Sequence, residues 1–229
     1  MIFFQVVDAN QWVVVDLGQS SLVCGAVTQG RGKSKALNAH VSTRMGVPIG
    51  FWRSVGHSHN AFFSESFIDE LAFETKQDPV AFRLSLLTQT PRYAAVLKMA
   101  ADKAKWGATL PSGHAHGVAL HKSFGSIVAQ VAEVSMKEGV LRVHRVVCAI
   151  DCGTVVNPDT VAQQVESSVS FALSAALFGK IDIQEGVVQQ TNFTNYPLVK
   201  LAQSPVVETW IMPSTQLPEG VGEPAVPPL

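Results

Sequence analysis

Two apolar segments meet across one short turn, and they limit the fold more than any other feature. Ser126 to Met136 carries Val128, Ala132 and Val134 on one side of an extended chain, and Ile127, Ala129 and Val131 on the other. A strand with one solvated face alternates apolar and polar residues, so apolar residues on both sides predict a strand covered on both faces. Lys137-Glu138-Gly139 supplies a hairpin turn, and Val140 to Ile150 returns as the partner strand. A hairpin of this kind needs a packed layer on each side.

Helices for those layers are legible on both sides of it. Phe63, Phe67, Ile68, Leu71 and Ala72 recur at helical spacing, with Ser58 or Asn60 available as N-cap. Asp78-Pro79 opens a second helix through Phe82, Leu86 and Leu87. Thr90-Pro91 repeats the device, and Val96, Met99, Ala100 and Lys103 continue to a stop at Gly107. After the hairpin, Asn157-Pro158 caps a helix carrying Val161, Val165, Val169 and Leu173, ending near Gly179. Short strands over 180–184 and 187–193 flank Gln184-Glu185-Gly186, and Ser204 to Met212 alternates as a further strand. Residues 1–40 stay unassigned: Phe3 to Val7 and Trp12 to Val15 read as short strands before a loop at Gly30-Arg31-Gly32-Lys33. The expected class is α+β, mixed sheets with packed helices.

Composition narrows the partners. The 17 Lys and Arg against 18 Asp and Glu leave a net charge of −1, with no surplus of cations for nucleic acid. Charged residues are only 15% and mean hydropathy is +0.21, which implies surface that something else covers. Cys24, Cys148 and Cys152 are an odd set that argues against a disulfide framework. The first residues lack the basic start of a signal peptide, and the compartment, cytoplasm or periplasm, is left open.

Four places carry candidate chemistry. Gly220-Val221-Gly222-Glu223-Pro224-Ala225 superficially matches a dinucleotide fingerprint, but Pro224, Pro227 and Pro228 forbid the helix that would hold a pyrophosphate. What is left is Glu223 between glycines and a proline, presented toward a pocket. Arg53, in Gly50-Phe51-Trp52-Arg53-Ser54-Val55-Gly56, precedes a helix start and could hold an anion. Gln163, Gln164 and Glu166 offer amide and carboxylate groups in early turns of a helix. The pairs His57/His59 and His114/His116, each read as sharing a strand face, have no third ligand for a metal, and Cys148 and Cys152 read as core.

Three ordered blocks, GFWRSVGHSHNAFFSESFIDELAFETKQDPVAFRLSLL (Gly50 to Leu87), RVVCAIDCGTVVNPDTVAQQVE (Arg145 to Glu166) and EGVGEPAVPP (Glu219 to Pro228), resemble the carboxy-terminal half of molybdenum hydroxylase large subunits. The likeness is to the isoquinoline 1-oxidoreductase beta-subunit type of the xanthine dehydrogenase and aldehyde oxidase superfamily. The resemblance implies a partial molybdopterin-binding domain over residues 41–229, stopping short of the family's C-terminal extension. It implies oxidative hydroxylation of an N-heteroaromatic carbon, or oxidation of an aldehyde, with water as oxygen source. Glu223 then stands where the family has its general base. Arg53, Gly56, Gln164 and Gly222 stand at cofactor-binding positions, and Gly153 stands where backbone must stay close. Phe51 and Trp52 stand near the pocket wall. Ser167 replaces the family's glycine, adding bulk there.

The implied cofactor is molybdenum-molybdopterin, expected in its cytosine dinucleotide form. Because the pterin carries the metal, no protein metal ligand is implied. The implied partners are a small subunit with [2Fe-2S] clusters, the missing half of the large subunit, and a small aromatic or aldehyde substrate. The chain alone is then expected to be inactive; the alternative is a non-catalytic remnant or interaction module that keeps the fold.

Overall fold

The hairpin forms in the computed structural model, which describes residues 2–4, 13–15 and 50–229. Its half away from the turn is buried on both faces, whereas Met136, Val140 and Leu141 beside the turn are exposed, short of the full cover expected. In chain order its elements are strands β1 (Ile2–Phe4) and β2 (Val13–Val15), then helices α1 (His57–Glu74), α2 (Pro79–Leu86) and α3 (Pro91–Ala104). Strands β3 (His114–Ser123), β4 (Ser126–Lys137) and β5 (Val140–Asp151) follow, then helix α4 (Pro158–Phe178) and strands β6 (Ile183–Gln184), β7 (Val187–Val188) and β8 (Val206–Ile211). The class is α+β. The expected strands at Phe3–Val7 and Trp12–Val15 appear as the antiparallel β1–β2 pair. The remainder of those runs, the Gly30–Lys33 loop and Cys24 lie outside the described residues.

β4 and β5 pair antiparallel across Glu138 and Gly139, whose positive φ values of 52° and 79° give the two-residue turn whose twist suits a hairpin. The central sheet runs β3-β4-β5-β8, with β8 parallel to β5 after a crossover containing α4. Ile127, Ala129 and Val131 of β4 pack under α3, beside Val96, Leu97 and Ala100. Val128 of β4 and Val146, Cys148 and Ile150 of β5 face the other way, onto Val161, Val165 and Val169 of α4. Three layers result, each helix burying one apolar stripe. Cys148 and Cys152 are buried in the α4 layer, where burial pushes the Cys148 thiol up to about 12.

Local chemistry explains most element ends. Asp78 Oδ1 accepts from the N–H groups of Val80 and Ala81, and Asn157 Oδ1 from those of Asp159 and Thr160, each with proline at the next position. Thr90 makes no cap bond. Three expectations are corrected. Helix α1 starts earlier, with Gly56 as N-cap, so Ser58 and Asn60 lie inside it and His57 and His59 are helical neighbours, not strand neighbours. Helix α3 ends at Lys105, itself left-handed at φ 56°, before Gly107 is reached. The strands at 180–184 and 187–193 shrink to two residues each because all four side chains are exposed and nothing packs on them. His114 and His116 do share a strand, β3, which runs on to Ser123, well beyond the histidine pair.

α1 is docked on β3 by polar contacts. Glu65 Oε2 accepts from the Leu120 N–H at 2.7 Å and from Arg83 Nε at 3.0 Å, while Arg83 Nη1 reaches Asp69 at 2.7 Å. His57 Nδ1 lies 3.1 Å from His121 Nε2. Burial, then the neighbouring His57, pull the His121 imidazole down to about 4. No helix among the described residues is long and apolar enough to cross a membrane.

Two outcomes follow. Asn157→Ala should lower unfolding free energy by about 1 kcal/mol in urea titrations, while Thr90→Ala costs less than half of that; equal losses would contradict the capping geometry. Because His121 is neutral in the folded state down to about 4, while the same group in the unfolded chain binds a proton near 6.5, stability present above pH 6.5 is lost as pH falls toward 4. The change should be about 1–3 kcal/mol, and His121→Gln should flatten that part of the stability profile.

Candidate functional site

Residues 213–229 contain no helix or strand, so Glu223 depends on the contacts that dock this segment. Thr154 gives both its N–H and its hydroxyl to the Gln216 carbonyl, at 2.9 and 2.8 Å. The Glu219 N–H reaches the Cys152 carbonyl at 2.9 Å, and the Gly220 N–H reaches that of Phe124 at 3.0 Å. Ser126 Oγ donates to the Gly220 carbonyl at 2.6 Å, and the buried Gln130 Nε2 to that of Ala225 at 2.7 Å. Gly153, at φ 74°, must be glycine: a Cβ there would collide with the Leu217 carbonyl. No helix follows Gly222, in line with the proline argument.

Arg53 joins three distant segments at this point. Its Nε donates to the Gly222 carbonyl at 2.9 Å, and Nη2 shares that acceptor. Nη1 donates to Ser167 Oγ at 3.0 Å, and Nη2 also meets Ser168 Oγ at 2.9 Å and Gln164 Oε1 at 3.4 Å. The guanidinium lies 5.5 Å over the Phe171 ring, against which Trp52 packs at 4.7 Å. Burial lowers the Arg53 pKa from the ordinary arginine value, and the Glu223 carboxylate opposes that by attraction. The planar fork is suited to several acceptors at once, and one Nη1 N–H is left for another partner.

Ser54 completes the connection. Its N–H donates to Glu223 Oε1 at 2.9 Å and its hydroxyl to the Glu223 main-chain carbonyl at 2.6 Å. Ser54 and Val55 are both left-handed, at φ 69° and 44°. For a β-branched residue this is a true outlier, and each such residue costs about 1–3 kcal/mol. Glu223 Oε2 makes no hydrogen bond among the described residues. A carboxylate with one oxygen anchored and the other open can accept a proton at a defined place.

Of the residues singled out, Arg53, Gln164, Gly222 and Glu223 come together. Gly56 is buried at the start of α1 and takes no hydrogen-bonded part in the cluster; its carbonyl accepts from Asn60. Gln163 and Glu166 are exposed on α4 and make no hydrogen bond to the cluster among the described residues. Ser167, noted for its bulk, serves as an Arg53 acceptor. Ser54, Ser168 and Phe171 carried no signal, being ordinary residues whose roles come from tertiary contact. The histidines disperse: His114 stacks on His144 and bonds Glu133, and His116 stacks on Trp106. No group of three or more His, Cys, Asp or Glu among the described residues is arranged to hold a metal.

Comparison with known proteins identifies the family. A family model described as molybdopterin cofactor-binding domain matches residues 74–205. The isoquinoline 1-oxidoreductase subunit beta of Brevundimonas diminuta is 35% identical over 188 residues, covering 80% of this chain and 24% of that protein. A protein of Gluconacetobacter polyoxogenes named membrane-bound aldehyde dehydrogenase [pyrroloquinoline-quinone] is 34% identical over 197 residues, covering 76% of this chain and 25% of its own. A Cu,Mo-CO dehydrogenase crystal structure aligns with a TM-score of 0.41 at 26% identity, over 44% of this chain and 14% of that one. The chain spans about a quarter of the length of these two curated relatives. With the model matching more than half of its residues, the chain belongs to the molybdopterin cofactor-binding domain family.

Proposed function

We propose that the chain contributes the base-bearing wall of a molybdopterin site in an oxidoreductase that hydroxylates an N-heteroaromatic carbon or oxidises an aldehyde, with water as oxygen source. The observation that carries this reading is the meeting of Arg53, Gln164, Gly222 and Glu223 in one hydrogen-bonded cluster, with Arg53 separated from Gln164 by 111 positions and from Gly222 by 169. The donor set suits a polar, anionic cofactor edge: the remaining Arg53 N–H, the Gln164 amide Nε2, which has no partner among the described residues, and the Ser167 hydroxyl. A Cβ on Gly222 would come no nearer than 3.7 Å to Gln164 Oε1, so the bare backbone leaves a gap beside that amide. These residues fit the group, with Arg53, Gln164 and Gly222 holding it and Gly56 supporting the turn behind Arg53.

When bound, the cofactor supplies the two-electron oxidation of the substrate carbon. The chain's own residues orient and move a proton. Glu223 accepts it at Oε2, Arg53 keeps the Gly222 backbone in place, and Trp52 on Phe171 forms an apolar border.

The reading extends to finer features. The cofactor is proposed as the cytosine dinucleotide form, and electrons pass to [2Fe-2S] clusters on a partner subunit, supported by the likeness to a protein named as a subunit beta. Residues 41–229 form one partial cofactor-binding domain. The rest of the large subunit covers apolar side chains that stand out of this chain, among them Phe51 (71% exposed), Phe62 (66%) and Phe73 (80%).

In the assembled enzyme, Glu223→Gln should reduce kcat by about 10²–10⁴-fold, the usual worth of a positioned base, with molybdenum per polypeptide unchanged. Turnover equal to wild type would leave the non-catalytic module as the better reading. Arg53→Lys cannot serve Gly222, Ser167 and Ser168 together, so metal analysis after purification should show molybdenum content lowered by about half or more; full retention would remove Arg53 from cofactor holding.

A further inference from the structure

Ser54 directs both of its donors to a single residue. It is fully buried at 0% exposure, its N–H meets Glu223 Oε1 at 2.9 Å, and its hydroxyl meets the Glu223 carbonyl at 2.6 Å. The φ angle of a residue fixes how its side chain stands relative to its own N–H, and here that angle is 69°, in a region serine rarely adopts. The unusual conformation is what lets one residue hold a carboxylate oxygen and the backbone of the same glutamate. Backbone outliers of this kind persist where the surroundings over-determine them, and the surroundings here are the Glu223 segment.

We propose that Ser54 is the positioning residue of Glu223: its N–H anchors Oε1, its hydroxyl anchors the main chain, and Oε2 alone is left to receive a proton. Ser54 itself touches no reacting atom. The inference rests on Glu223 being the base, as proposed above. A freely rotating glutamate would divide its time between two equivalent oxygens and several rotamers, whereas a glutamate fixed at one oxygen and at its backbone presents the other in one direction.

The test is a double-mutant cycle in the assembled enzyme. Ser54→Ala, which keeps the N–H and removes the hydroxyl, should lower kcat about tenfold with KM within about twofold, and this loss should vanish in the Glu223→Gln background. Ser54→Gly relieves the left-handed backbone and should show the same kcat loss with an undiminished melting temperature, which separates positioning from folding. An equal loss in both backgrounds, or no loss in either single variant, would overturn the positioning role and leave Glu223 as base. Wild-type turnover in Glu223→Gln would instead overturn the base reading. A second readout needs no cofactor: hydrogen exchange of the Ser54 amide should speed up about tenfold in Glu223→Ala and stay slow in Glu223→Gln, which keeps an acceptor oxygen. An unchanged rate in Glu223→Ala would overturn the anchoring of Oε1.

Discussion

The contact between the Arg53 guanidinium and the Gly222 carbonyl is the constraint around which the site is organised. Residues 213–229 have no helix or strand of their own, so their backbone groups must find partners elsewhere in the fold. Hydrogen bonds to a charged donor are each worth about 1.5–3 kcal/mol net, more than neutral ones, and Arg53 makes them to two segments at once. Through Ser167 and Ser168 it reaches α4, and through Gly222 it reaches the Glu223 loop. A lysine would place a single point charge there and could not span both, so the geometry depends on the fork as well as on the charge.

That fork works only because its surroundings are rigid. The β4–β5 hairpin is closed from one side by α3 and from the other by α4, and the Glu223 loop lies against the α4 side, where Gln130 of β4 holds the Ala225 carbonyl. A side chain mounted on a doubly packed sheet has little freedom, and the irregular loop inherits that order through a few short contacts. The fold thus accounts for an irregular loop presenting a carboxylate in a fixed direction.

Much of this was legible in the sequence where the signal is local. The two-sided apolar pattern of 126–150, the Asp78-Pro79 and Asn157-Pro158 caps and the α4 stripe each state their structure in a few neighbouring residues. The full length of β3 is hard to read beyond the His114/His116 pair because His114, His116, His121 and Lys122 interrupt its apolar residues; as an edge strand it needs few, and only Val118 and Leu120 join the core. The start of α1 was placed too late because a left-handed Ser54-Val55 pair contradicts the propensity of both residues. That pair is held by local bonds from the Val55 N–H to the Trp52 carbonyl and from the His57 N–H to the Ser54 carbonyl, and by Glu223, 169 positions away along the chain. Arg53, Gln164 and Glu223 each stand out locally as polar groups in suggestive settings, but only the family resemblance, whose ordered blocks carry long-range information that spacing does not, implies a common role for them.

The strained turn and the irregular loop explain one another. The left-handed pair carries a conformational cost of about 1–3 kcal/mol per residue, which would relax if Glu223 were absent. The loop in turn would lose two of its anchors if Ser54 adopted ordinary dihedrals, and Arg53, one residue earlier, would be re-aimed. The cluster is therefore expected to form and dissolve as a unit, with intermediate arrangements disfavoured because each retains the strain while losing part of its compensation. A site built in this way holds its carboxylate more tightly than any one of its hydrogen bonds would, since movement of Glu223 requires the release of Ser54, and release of Ser54 disturbs the segment that places Arg53.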